Sequence, residues 1–109
     1  MDFSGYRSMW YIVLFDLPVG SKTERKEYTN FRKALIREGF SQLQFSVYAR
    51  FCESMKNAKS FGARLKPLIP KGGQVRFLPV TDIQFGKMEI YWGRKKSAVE
   101  KKPAQLMMF

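Results

Sequence analysis

The chain has no histidine, a single cysteine, and only nine acidic residues among 109. Each shortage removes a class of chemistry. Without histidine there is no Ser-His-Asp triad, no imidazole general base and no His-ligated zinc. One thiol, Cys52, cannot close an internal disulfide or build a cysteine metal cage, and no imidazole stands ready to activate it. It reads as a small hydrophobe, and so low a cysteine count fits a reducing cytoplasm. No apolar run approaches the ~18 residues that cross a bilayer, so no membrane partner is expected. The opening MDFSGYRSMW lacks a basic segment followed by an apolar one, so export is not expected either. Neither GxxxxGK[ST] nor GxGxxG occurs, which leaves nucleotide-binding loops without support.

Positive charge is abundant instead. Twenty Lys and Arg outweigh the acids to give a net charge of +11. Such an excess repels itself unless it meets a polyanion, and nucleic acid is the usual one. Apolar residues make up 45% of the chain, with ten phenylalanines, so one domain of this length can bury a core.

Met9–Phe15 is a continuous β-rich apolar run, ended by Asp-Leu-Pro-Val-Gly, and predicts a central strand buried on both faces. A helix follows, with Ser21 and Glu24 at capping-box spacing and Gly39 where a left-handed C-terminal residue belongs. On it Tyr28, Phe31 and Leu35 share one face. Lys22, Arg25, Lys26, Arg32, Lys33 and Arg37 fall within roughly 140° of arc on the other, interrupted by Ile36. Glu24, Glu27 and Glu38 border the apolar face. That separation of signs points to phosphate contact.

Residues 41–52, SQLQFSVYARFC, alternate throughout. The pattern predicts one buried face (Leu43, Phe45, Val47, Ala49, Phe51) and one polar face (Gln42, Gln44, Ser46, Tyr48, Arg50). No Gly, Pro or Asn marks a turn inside it, so it fills either one long bent strand or two. Ser54 is placed to cap a second helix carrying Ala58, Phe61, Leu65, Leu68 and Ile69, which PKGG at 70–73 stops. QVRFLPVT, 74–81, reads as a strand whose Pro79 belongs at an edge or bulge. TDIQFGK reads as a turn, MEIYW at 88–92 as a last short strand, and the rest as a basic tail. This order predicts an α+β, ferredoxin-like (split βαβ) antiparallel sheet with two helices on one face and the first strand central.

After these eliminations the chemistry rests on Asp16, at a strand's C-terminal end, where open-sheet sites commonly form. One carboxylate is a poor Mg²⁺ site, but a two-fold axis near the strand end would bring up a second Asp16 to bracket one cation. The same carboxylate could instead hydrogen-bond the Leu17–Val19 backbone as a turn residue. The residues alone leave both readings open.

YIVLFDLP, then the basic helix ERKEYTNFRKALIREGF, then LQFSVYARF, then VRFLPVTDIQF with MEIYWG, closely resemble in this order the small CRISPR-associated Cas-two family. The likeness spans residues 9–93, and FDLPV with GFSQLQFSVYAR looks most like members from systems with a single large effector nuclease. The resemblance implies a ferredoxin-like homodimer whose last short strand packs on the partner's sheet. It also implies a divalent-metal phosphodiesterase (endonuclease) site that maps onto Asp16, with one Mg²⁺ or Mn²⁺ per dimer. In such systems the dimer is the central DNA-binding subunit of the spacer-acquisition complex, between two dimers of the Cas-one integrase. The prespacer duplex would lie on basic residues, for which Lys22, Arg25, Lys26, Lys33, Arg37 and Arg76 are the candidates. Residues 1–8 then read as an N-terminal extension, 9–93 as the domain and 94–109 as a basic tail. A stand-alone metal-dependent ribonuclease of toxin type is an alternative. So is a ferredoxin-like RNA-binding module, although SVYARFC and QVRFLPV do not match its aromatic RNP1 strand.

Overall fold

An apolar strand at the centre of a sheet needs neighbours on both edges and cover on both faces. In the structure, a computed structural model that describes residues 8–103, β1 (Met9–Asp16) has all of these. It lies between β3 (Val47–Cys52) and β4 (Gln74–Thr81), antiparallel to both, in a four-stranded sheet of order β2-β3-β1-β4. β2 (Ser41–Gln44) and β4 are the edges, which suits Pro79. This is the expected split βαβ arrangement, with β1 central.

Both long helices cover one face. α1 (Lys22–Arg37) opens on a reciprocal capping box, Glu24 N–H donating to Ser21 Oγ at 3.1 Å and Ser21 N–H to Glu24 Oε1 at 2.9 Å. Past its end Gly39 has φ of 86°, the left-handed conformation its position demands. α2 (Met55–Leu65) is capped by Ser54, and a 3-10 turn at Lys66–Leu68 extends it through Pro67. Phe31, Ala34 and Leu35 of α1 and Ala58, Phe61 and Leu65 of α2 pack on Met9, Tyr11, Val13 and Phe15 of β1. Leu68, expected on the apolar side of the second helix, is exposed in the 3-10 turn instead.

The sequence 41–52 departs from its expected reading. It forms two strands, joined by a turn at Phe45–Ser46 in which Ser46 has φ of 63°. Serine rarely takes that conformation, so nothing in the sequence advertises the turn. Phe45 stands out on it and is 80% exposed. β3 is an interior strand, so its even-numbered side is not a polar face: Tyr48 and Cys52 are buried in the helix-side core. Arg50 shares that side. Its guanidinium lies 4.0 Å over the Phe61 ring and donates to the Glu38 carbonyl at 2.9 Å, fastening the end of α1 to β3. Burial pushes the Cys52 thiol up to about 11, with Arg50 opposing the shift, so the residue is the inert hydrophobe expected.

Two further departures follow β4. TDIQFGK is a short helix rather than a turn. α3 (Asp82–Gly86) is held by its own capping box, Thr81 with Gln84, and lies against the face that α1 and α2 leave open. Its Phe85 ring stacks on Trp10 at 4.0 Å, and Trp10 Nε1–H donates to Asp82 Oδ1 at 2.9 Å. The basic tail also begins as structure: β5 (Ile90–Trp92) and β6 (Lys95–Ser97) form a separate hairpin about Gly93. Val99 then packs near Trp10, and Lys102 pairs with Asp82 at 3.3 Å. Residues 1–7 and 104–109, most of the N-terminal extension and the end of the tail, lie outside the described residues. No described helix is long and apolar enough to cross a membrane.

Relieving the strained turn gives a direct check. Ser46→Gly is expected to raise the unfolding free energy by about 1 kcal/mol in urea titration, because glycine carries no left-handed penalty. A neutral or destabilising result would contradict the turn geometry.

Candidate functional site

Pleating sets the site. Met9, Tyr11, Val13 and Phe15 enter the helix-side core, whereas Trp10, Ile12 and Leu14 belong to the opposite face. The alternation therefore carries Asp16 onto the helix-free face, at the end of the Trp10-Ile12-Leu14 row. Neighbouring backbone holds the strand end from two sides. Phe15 N–H donates to the Ser46 carbonyl at 3.0 Å, so the β2–β3 turn is fastened beside it. On the other side Gly73 passes so close that a Cβ there would stand 2.7 Å from the Asp16 carbonyl oxygen and collide with the Leu17 side chain. In sequence PKGG reads as a helix stop only; the paired glycines also permit this close approach.

The Asp16 carboxylate is exposed and makes no hydrogen bond or ion pair with any described residue. The turn-residue reading therefore fails, since the carboxylate holds none of the Leu17–Val19 backbone. Its β4 neighbours on the same face are Gln74, directly opposite, and Arg76, opposite Leu14. Among the described residues no three of His, Cys, Asp or Glu come together as a metal cage. One chain thus supplies one free, hard oxygen donor, which fits Mg²⁺ or Mn²⁺ in kind but not in number.

On the same side of the sheet as Asp16 lies an apolar groove of about 320 Å³, walled by Ile12, Leu14, Leu43, Val47 and Leu78, with Trp92 of the β5–β6 hairpin across it. Leu78 and Trp92 remain exposed, Trp92 by 74%. α3 packs at the Trp10 end of the face, and Met88, Ile90, Ala98 and Glu100 line the groove together with Ile12 and Leu14, so the face is partly covered.

The structure sorts the basic residues of α1 by what they already hold. Arg32 Nε–H donates to the buried Tyr48 hydroxyl at 2.8 Å, and Arg25 donates to the Val19 carbonyl at 3.2 Å. Lys22, Lys26, Lys33 and Arg37 are exposed, bond to no described residue, and share about 60° of helix arc. Lys33 and Arg37 meet Lys71 across a groove of about 530 Å³ that Glu27 and Asn30 also line. Nothing in the sequence marks Lys71 as a candidate; only the fold brings it to α1. Arg76 does not join this group, because β4 presents it on the opposite side of the sheet.

Comparison with known proteins adds an independent line. A profile described as CRISPR associated protein Cas2 matches residues 9–88. A CRISPR-associated endoribonuclease Cas2 of Parvibaculum lavamentivorans is 44% identical over 101 residues, covering 93% of this chain and 100% of that protein. Another of the same description, from Flavobacterium psychrophilum, is 43% identical over 104 residues, covering 95% and 90%. Among solved structures, one titled "Crystal structure of cas2" superposes with a TM-score of 0.57 at 22% identity, over 86% of this chain and 97% of that one, a likeness of fold.

The sorting of α1 predicts unequal stability effects. Arg32→Ala should cost about 1–1.5 kcal/mol in urea unfolding, because it leaves the buried Tyr48 hydroxyl without its partner. Lys33→Ala should stay within about 0.5 kcal/mol. Equal effects would contradict the division.

Proposed function

The chain belongs to the CRISPR associated protein Cas2 family, and on that premise we propose that it is the dimeric, DNA-holding centre of a cytoplasmic spacer-acquisition complex, with a metal-dependent phosphodiesterase site where two copies of Asp16 meet. The observation that carries this reading is the bare Asp16 on the same sheet face as a partly covered apolar groove that leaves Leu78 and Trp92 exposed. A second copy packed face to face about a two-fold axis would hide Leu78 and Trp92 and place the two carboxylates together, completing what each chain holds by half. The β5–β6 hairpin, projecting Trp92 across the groove, is the element suited to reach the partner's sheet.

The two Asp16 carboxylates would hold one Mg²⁺ or Mn²⁺ per dimer, which would supply an activated water and neutralise phosphate charge. The protein's own part is to hold both carboxylates at the seam and to hold the nucleic acid. Hydrolysis adds the oxygen of water to phosphorus and breaks one P–O ester bond, leaving a phosphate end and a hydroxyl end. With no histidine in the chain and no cluster of three metal-ligating side chains among the described residues, general-base help at Asp16 is weak, and the rate should be slow.

Lys22, Lys26, Lys33 and Arg37, with Arg25 and Lys71 flanking them, form the surface offered to a prespacer duplex. Such residues bind the backbone whatever its sequence. Two dimers of the Cas-one integrase are the protein partners this role requires. A second reading, a stand-alone ribonuclease, draws on the name endoribonuclease carried by the relatives. The separation of Asp16 from the α1 cations, on opposite sides of the sheet, favours holding duplex over cutting it.

Asp16→Asn should abolish Mn²⁺-dependent cleavage of DNA and RNA while leaving duplex affinity within about twofold, because binding rests on the other side of the sheet. A variant that still cuts would sink the metal reading. Replacing Lys22, Lys26, Lys33 and Arg37 by alanine should reduce the slope of log K against log salt by about 0.9 for every phosphate no longer neutralised. An unchanged slope would move the duplex elsewhere.

A further inference from the structure

We propose that Arg76 is the phosphate-gripping residue of the Asp16 site, distinct from the duplex-holding cations of α1; this rests on the reading of Asp16 as half of a phosphodiesterase site. The register of β1 with β4 sets Gln74 opposite Asp16 and Arg76 opposite Leu14. Directly paired residues share a face, so all three groups lie on the helix-free side. Arg76 is the diagonal neighbour of Asp16, about 7–8 Å away in this geometry and somewhat less between Cβ atoms, a span that a phosphate can bridge.

Arg76 is also oriented and largely unspent. Its Nε–H donates to Gln74 Oε1 at 3.2 Å, and it bonds to no other described residue. Four of its five N–H donors are therefore available, in a planar fork that matches two non-bridging phosphate oxygens. Gln74 acts as a positioning residue: it steadies one edge of the guanidinium and leaves the other free. Although Asp16 is within reach of a long side chain, the two form no ion pair. A cation and a carboxylate held apart on one face can bracket a single phosphodiester. The carboxylate serves the metal side and the guanidinium serves the charge that builds on the phosphoryl oxygens. None of the α1 cations can take this place, because they lie across the sheet from Asp16.

The experiment uses the full-length protein with a labelled single-stranded RNA and a short duplex DNA. Arg76→Ala should lower kcat of Mn²⁺-dependent cleavage about 100-fold. Its duplex affinity, measured in EDTA, should fall less than about twofold. Arg76→Lys should restore little, because an ammonium lacks the fork, and Gln74→Ala should give an intermediate loss. A readout that needs no turnover uses Asp16→Asn protein: adding the RNA should shift the NMR resonance of the Arg76 Nε–H group. An Arg76→Ala protein that cuts at the normal rate overturns the proposal and leaves the Asp16 reading intact. If wild-type protein cuts nothing but the Arg76 resonance moves, the hydrolytic reading fails and the grip stands. A resonance that stays fixed overturns the grip.

Discussion

Everything in this molecule depends on the two faces of β1. An eight-residue strand that is apolar almost throughout has to be covered twice, and the chain has only two long helices among its described residues to do it. Both go to the same side, where Phe31, Leu35 and Leu65 are fully buried against Val13 and its neighbours. The other side receives α3 and a stretch of tail, enough to bury Trp10 and half-cover Leu14 while leaving Leu78 exposed. Burying the exposed remainder is worth about 25 cal/mol for every Å² of apolar surface, so a partner for that face has a ready driving force. Asp16 stands at the edge of this unfinished core because the pleat places it there.

Chemistry then follows from what that carboxylate lacks. A turn aspartate would be saturated by nearby amides, and an electrostatic one would sit in an ion pair; Asp16 has neither among the described residues. The groups that crowd it are backbone: the Ser46 carbonyl bonded to Phe15, and Gly73 pressed against the Asp16 carbonyl. This fixes the strand end without consuming the acid. The cations show the same economy on the opposite side of the sheet, where Arg32 and Arg25 hold the fold and four others hold nothing.

Much of this is legible in the residues. Continuous hydrophobicity marks β1, Ser21 with Glu24 and Gly39 bound α1, and the run into Asp16 singles out the acid. The failures have identifiable physics. The β2–β3 turn uses a serine at positive φ, where glycine or asparagine would have announced it. Alternation sorts the two sides of β3 correctly but misplaces Phe45, which the turn carries out to solvent, and cannot tell that Tyr48 and Cys52 meet a helix-side core. Five residues are too few for helical periodicity, so α3 is hidden even though Thr81 and Gln84 carry capping-box spacing. Gln74 beside Asp16, and Lys71 beside Arg37, are products of register and packing that no local pattern encodes.

The central claim is that two copies meet on the helix-free face with their Asp16 positions adjacent. It can be measured with a single reporter: Asp16→Cys in a Cys52→Ala background, treated with a short bismaleimide in the absence of metal and nucleic acid. Covalent dimer should form in most of the protein, at a rate that falls sharply when Leu78→Glu is added to break the apolar face. Protein that remains monomeric on a denaturing gel, while hydrodynamic measurements show a dimer in solution, would place the interface elsewhere and contradict the shared site.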